Sequence, residues 1–449
     1  MPRSRLSSRG TVVLWALVAF VLTEAIALLG VGRHPDTIFD EAAHLDYVVK
    51  MAHGHVPEVY EDLGQVTLGA FACTDPRAPA WAGLEPCGSP HYTAKLAPYG
   101  GLSTATNYAP TYYAATAVPY RVCEELSSLE PRTCARVANT GWLAAAAGGF
   151  VVLMLLVGCS RPTALVVGIG ASVTPAILLQ GITVNPDAFV HAAVAWLAVL
   201  AVRLAASRRL SALKQVAVLG VAGAVAVTAK ETALIGFAVV VALWAFLVTQ
   251  GRPTRERVVH WVTAGSVFTV VVGLAAVSRL LQPVLRGTGG DNPMEAGAQV
   301  PFSALGDLSL FAFNTSMAPF TGLVWGVLAN PYLFAVSVAL TGMVWGLGLQ
   351  VRLPRVLDTG RLGAPDDGDP GSPLAVVAVL AAAALPAVLV VMTWVASGSA
   401  PIQQRYFLTT ATLLIVLGTA TAANPWVRRF SAGVFALTTV LVVGSLLLA

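Results

Sequence analysis

TVVLWALVAFVLTEAIALLGV, Thr11 to Val31, is followed closely by IFDEAAHLDY, Ile38 to Tyr47. The first stretch is long enough to cross a bilayer. Arg3, Arg5 and Arg9 precede it, which predicts a cytoplasmic N-terminus and a run that exits outward. A cleaved signal peptide is the competing reading, since Ala25-Ile26-Ala27 mimics a cleavage site; Glu24 inside the run and the many later spans favour an uncleaved first span. The second stretch then lies outside. It sets Asp40, Glu41, His44 and Asp46 together in a chain of which only 11% is charged. Asp40 and His44 stand four apart and share a helix face, which predicts a short helix on the membrane surface presenting carboxylates.

Working outward, the composition makes the same point. Apolar residues are 56% of the 449, and the mean hydropathy is +0.73. The chain reads as an all-α polytopic integral membrane protein, one membrane domain over residues 1–449 with large loops. The basic residues are scattered over short loops, where they act as topology signals and form no nucleic-acid surface. Arginine far outnumbers lysine, which with the Ala, Gly and Val content points to a GC-rich bacterial source and a plasma-membrane location.

Residues 33–136 form a first extracytoplasmic loop, too long to be a passive connection. It holds Cys73 and Cys87, then Cys123 and Cys134, so two local disulfides or four free thiols are open; Cys159 is the odd one. It also holds Asn107-Tyr108-Ala109-Pro110-Thr111-Tyr112-Tyr113, suited either to the membrane interface or to stacking on a sugar.

Apolar runs follow at about 137–158, 163–181, 186–206, 212–229, 232–249 and 259–281. Their alternation puts Arg161, then Arg203, Arg208, Arg209 and Lys214, then Arg252, Arg255 and Arg257 inside. The same parity puts Asn185-Pro186-Asp187 and Lys230-Glu231 outside, with the opening motif. A second outer loop is expected at 282–330, with a re-entrant or interfacial segment, and a cytoplasmic linker at 351–372. Spans at about 331–350, 373–396, 404–422 and 431–448 complete a count of about eleven helices.

The polar residues at span ends therefore gather on one face, at the outer surface or a turn or so below it: Asp40, Glu41, His44, Asp187, His191, Lys230, Glu231, Gln404 and Arg405, with His191 read as a satisfied interior histidine over a ligand. A coupled transporter would hold such groups near the midplane. At a surface, a carboxylate can take a proton from a hydroxyl, with Asp40 the first choice and Glu41 the second. Lys230 and Arg405 suit a phosphate, and His44 suits orienting the base or contacting that phosphate. No metal set is demanded by the spacing, though a divalent cation on Asp40 and Glu41 is compatible with it. Blander roles compete at each position: a capped surface helix for Asp40 and Glu41, a first-turn dipole partner for Asp187, a Lys230–Glu231 pair, an interfacial anchor for Arg405.

Taken together, Asp40, Glu41 and His44 after the first span, Asn185 and Asp187 opening a later one, Lys230 near the outer end of a middle span, and Gln404-Arg405-Tyr406 resemble a bacterial family. It is a family of predicted multi-spanning membrane proteins of unknown function, itself similar to the GT-C glycosyltransferases. Where the family carries Pro after the Asp-Glu, this chain has Ala42. The resemblance implies a GT-C-like fold and transfer of a sugar from a polyprenyl-phosphate donor to a glycan, lipid or protein acceptor on the outer face. It places the catalytic carboxylate at Asp40 or Glu41, and Asp187, Lys230, Gln404, Arg405 and Tyr406 around the substrate. A flippase for lipid-linked glycans and a non-catalytic envelope-assembly protein are the alternatives.

Overall fold

The computed structural model describes residues 9–32, 40–74, 84–207, 209–250, 252–291, 408–421 and 425–448. Among these residues the regular structure is helical, with two isolated β-bridges and no strand. The loop expected at 282–330 begins later, since the preceding helix runs to Arg286; its residues 292–330, the linker 351–372, the spans at 331–350 and 373–396, and Gln404, Arg405 and Tyr406 lie outside the described residues.

Helix α1 runs Arg9–Val31, as the apolar run predicts. The surface motif forms α2, Asp40–Ala52. The rest of the first loop builds α3 (Gln65–Thr74), three short 3-10 turns and α4 (Thr111–Leu126). Then come α5 (Pro131–Leu156), α6 (Arg161–Ser172), α7 (Pro175–Ile182), α8 (Pro186–Ala205), α9 (Ala212–Ala229), α10 (Ala233–Thr249) and α11 (Thr254–Arg286). After the undescribed stretch, α12 is Leu408–Thr421 and α13 is Pro425–Leu448. Six of the described helices, α1, α5, α8, α9, α11 and α13, contain stretches long and apolar enough to span a membrane.

The expected span at 163–181 is a broken one. Pro175 has no N–H to continue α6, and Thr174, extended before it, lets the chain restart as the eight-residue α7.

In the bundle α5 is the central post, packed on α1, α6 and α8, while α10 packs on α8 and α11 on α9 and α10. Small residues allow the close approaches. A Cβ on Gly168 would stand 2.5 Å from Val151, and one on Gly223 would stand 2.2 Å from Phe237. The main apolar core around Phe150, Phe237 and Trp244 fills this region.

A second core lies over one end of the bundle. Leu45, Tyr47 and Val48 of α2 pack with Tyr112, Tyr113 and Tyr120 of α4 and Ala135 of α5. The aromatic stretch read as an interface or sugar platform is thus largely the inside of this cap: Tyr112 and Tyr113 are fully buried. Both cysteine pairs are bonded, Cys73–Cys87 and Cys123–Cys134, and Cys159 is free and buried. The cap seats the opening motif against the ends of α5, α8 and α9.

Candidate functional site

Glu41, in the first turn of α2, is buried and meets Arg136 of α5 in a two-pronged contact. Arg136 Nε donates to Oε1 at 2.7 Å and Nη2 to Oε2 at 2.6 Å. The Val184 N–H donates to the same Oε1 at 3.0 Å, and Arg136 Nη1 donates to the Val31 carbonyl at 3.0 Å. A buried carboxylate is tolerable only when so compensated. The result is a knot joining the end of α1, the start of α2, the post α5 and the α7–α8 connection.

Beside it, Asn139 Nδ2 donates to the carbonyls of Gln180, Gly181 and Thr183 at 3.0, 3.1 and 2.6 Å. These are the carbonyls that a helix end leaves open. The Tyr112 hydroxyl donates to Asn139 Oδ1 at 2.8 Å, so the cap is tied to the same post.

Asp187 follows directly. Asn185 caps α8, its Oδ1 accepting from the Asp187 N–H at 2.9 Å, and Pro186 takes the first helical position. The Asp187 side chain reaches Lys230, Nζ to Oδ1 at 2.7 Å, with both groups almost wholly buried. Asp187 Oδ2 is buried too and has no hydrogen-bond partner among the described residues. Lys230 ends α9 in an extended conformation, and its ammonium sits over the Tyr108 ring, 5.8 Å from the centroid. Glu231 pairs with Arg279 of α11, so the adjacent Lys230 and Glu231 serve different partners.

His44 lies on the inner side of α2, its Nδ1 2.8 Å from the Tyr113 hydroxyl, with Tyr108 and Tyr113 stacked about it. Tyr113 stacks on Tyr47 at 3.8 Å. Burial pushes the Tyr113 phenol well above its ordinary range and takes Tyr47 up to about 12, against the pull of the neighbouring Arg286 charge. Both phenols stay neutral at physiological pH. His44 thus faces a hydroxyl in this cluster.

Arg286, at the end of α11, clamps the cap. Nη1 donates to the Tyr47 hydroxyl at 2.6 Å and to the Pro57 carbonyl at 3.3 Å; Nη2 donates to the carbonyls of Thr106 and Tyr108. These acceptors are all neutral. The chain beyond is stitched to the first loop, Val59 N–H to Gly287 O at 3.1 Å and Gly289 N–H to Val59 O at 2.9 Å. Farther out, Lys50 bridges Asp46 and Glu61 at 2.8 Å each. Burial raises the Asp46 carboxyl above its ordinary range despite Lys50. Burial works the same way on Glu61, but Lys50, the Glu58 N–H and His55 outweigh it and hold Glu61 low.

Of the residues singled out from sequence, Glu41, His44, Asp187 and Lys230 come to one end of the bundle. Asp40 opens α2, and its side chain lies outside what is described. Glu41 has both oxygens engaged, leaving Asp187 Oδ2 as the open carboxylate oxygen of these two ion pairs. His191, expected as a satisfied interior histidine, is fully buried edge-on to Phe150 at 5.2 Å, and neither ring nitrogen has a partner among the described residues. Among the described residues no three metal-type side chains converge. Arg136, Asn139 and Arg286 went unread in the sequence. A signal existed for Arg136, a charge placed just where the apolar run of α5 begins.

Residues 25–414 match the family described as predicted membrane protein (DUF2142), which is most of the chain. The chain belongs to that family. Membership agrees with the resemblance carried by the Asp40-Glu41 motif and its partners, and it makes this a membrane protein. No curated protein matches the chain. Among solved structures, it is similar to the crystal structure of ArnT from Cupriavidus metallidurans bound to undecaprenyl phosphate, at a TM-score of 0.46 and 16% identity. The likeness covers 92% of this chain and 60% of that one, so this chain spans less than two thirds of the other's length.

Proposed function

We propose that this family member is an outer-face membrane transferase that moves a sugar from a polyprenyl-phosphate donor to an envelope glycan, lipid or protein. The observation that carries the reading is the buried Asp187–Lys230 pair, set beside the carboxylate-bearing helix α2 under an aromatic cap. A lysine ammonium out of water is a strong seat for a phosphate, and surroundings that exclude water make its charge count for more. The kind of donor comes from the GT-C likeness read in the sequence.

Orientation follows from the charges and the cysteines. Arginines flank the opposite end of the bundle, which favours that end facing the cytoplasm. Two disulfides at the capped end suit an oxidising exterior, and the free, buried Cys159 near Ala420 suits the other side.

In the chemistry we assign, Asp40 takes the proton of the acceptor hydroxyl. The hydroxyl oxygen attacks the anomeric carbon, and the bond to the phosphate oxygen breaks with its electron pair leaving on polyprenyl phosphate. One displacement inverts the anomeric centre. Lys230 and Arg405 receive the leaving phosphate. Glu41, held by Arg136 and Val184, positions α2 and is not free to act as base. His44 supports Tyr113 in the wall of the site. A divalent cation would need ligands beyond Glu41, whose oxygens are in use.

The test is sugar transfer by purified protein in liposomes, with radiolabelled polyprenyl-phosphate monosaccharides and a pooled envelope-glycan acceptor, wild type against Asp40→Asn. The expected result is transfer by wild type and none by the variant, with donor binding kept. A wild type that binds donor and never transfers it, across sugars, acceptors and added metals, would move the flippase or assembly-protein reading ahead.

A further inference from the structure

The two buried ion pairs at the capped end are built differently. Glu41 presents both oxygens to three donors, whereas Asp187 touches Lys230 through Oδ1 alone and leaves Oδ2 buried with no partner among the described residues. An open carboxylate oxygen in a dry site costs free energy that the fold could have avoided with one more donor. Arg286 adds a second observation. Its four Nη contacts are the Tyr47 hydroxyl and three backbone carbonyls, which hold the guanidinium without cancelling its charge and leave Nε, buried and with no partner among the described residues, as the donor open to an anion. Lys230 and Arg286 flank the same residue, Lys230 above the Tyr108 ring and Arg286 on the Tyr108 carbonyl, 3.3 Å from Nη2.

From this geometry we infer that Asp187 is an internal stand-in for the donor phosphate: it occupies Lys230 while the site is empty and is displaced when a phosphodiester settles between Lys230 and Arg286. The inference rests on the transferase reading for its ligand class. Charges balance in the exchange. The Glu41–Arg136 and Asp187–Lys230 pairs each sum to zero, the Asp40 carboxylate and the Arg405 guanidinium assigned to the reaction offset each other, Arg286 carries one positive charge against neutral acceptors, and a sugar-linked phosphodiester brings one negative charge. The displaced Asp187 carboxylate then accepts a hydrogen bond from a second, non-reacting hydroxyl of the acceptor, so the acceptor's partner is released only once the donor is in place. Asp187 is thus a positioning residue, with Asp40 left as the base. The stand-in also keeps Lys230 closed to stray anions.

The exchange makes a prediction that a merely structural pair does not: removing the Asp187 charge strengthens donor binding. In lipid nanodiscs, the full chain is titrated with a short-chain polyprenyl-phosphate monosaccharide. Asp187→Asn should bind about tenfold tighter than wild type, Lys230→Gln about 100-fold weaker and Arg286→Gln about tenfold weaker. Asp187→Glu, which restores the competing charge, should return toward wild type. Infrared difference spectra of wild type on ligand addition need no variant to fold, and they should show a carboxylate stretch that moves. Binding by wild type that Asp187→Asn weakens or leaves unchanged, or a carboxylate region that stays flat, would overturn the exchange and leave the transferase reading standing. No binding by wild type or any variant would overturn the transferase reading, and the exchange with it.

Discussion

Glu41–Arg136 and Asp187–Lys230 share one end of one bundle, are both almost wholly buried, and are built differently. The arginine pair is two-pronged, closed by a backbone N–H on the acid and a backbone carbonyl on the base, and it ties four segments together. In the lysine pair the acid meets Lys230 through one oxygen and leaves the other without a partner among the described residues. A planar guanidinium fits a carboxylate on two prongs and is hard to displace; an ammonium is a point charge that trades one anion for another. On the proposed exchange, what separates a structural ion pair from a binding one is neither burial nor charge, but how many directions of the carboxylate are already filled.

Four substitutions test that contrast, beginning with the largest effect. Arg136→Met strands a buried Glu41 charge and should cost about 3–5 kcal/mol, read as loss of monodisperse protein in fluorescence-detected size-exclusion melts. Adding Glu41→Gln should recover a large part of it; a well-folded single variant would erase the contrast. Asn139→Ala leaves three carbonyls and the Tyr112 hydroxyl without their partner and should cost about 1–3 kcal/mol in the same melt, extending the closed side of the comparison to the α7 end. Asp187→Asn keeps an oxygen for Lys230 and should cost less than Arg136→Met, about 1–2 kcal/mol. If it matches the arginine variant, both pairs are structural.

The smallest effect concerns the rim. Glu61 is held below its ordinary 4.5 by Lys50, the Glu58 N–H and His55 against its own burial, so the stability it adds is present above pH 4.5 and lost as pH falls through its lowered value. Limited proteolysis of the first loop should therefore rise below pH 4.5 in wild type, and Glu61→Gln should show the looser pattern already at neutral pH. Asp46 has the opposite sign, raised by burial, so its protonation does not add to this loss.

Much of this was legible in the residues because apolar runs and their arginine flanks record the bilayer directly. α1, α5, α8, α9, α10 and α11 fall where the runs lie, and Glu41, His44, Asp187 and Lys230 share one end because span parity puts them there. The partners were not legible. Arg136 is 95 residues from Glu41 and Arg286 is 239 from Tyr47, and no local period links such pairs. The break before Pro175 was hidden inside a run apolar enough to read as one span. The tyrosines of 108–113 looked like a surface because their hydroxyls are polar, and only the fold shows Asn139 and His44 waiting to receive them.

The measurement that bears most directly on the two kinds of ion pair is the melting temperature of wild type, Asp187→Asn and Lys230→Gln with and without a saturating sugar-linked polyprenyl phosphodiester. A ligand at about 100 times its Kd adds about 2.7 kcal/mol to the folded state. The account predicts a clear rise for wild type, a larger rise for Asp187→Asn at the same ligand concentration, and little or none for Lys230→Gln. Equal rises in all three proteins, or a rise lost in Asp187→Asn and kept in Lys230→Gln, would contradict it.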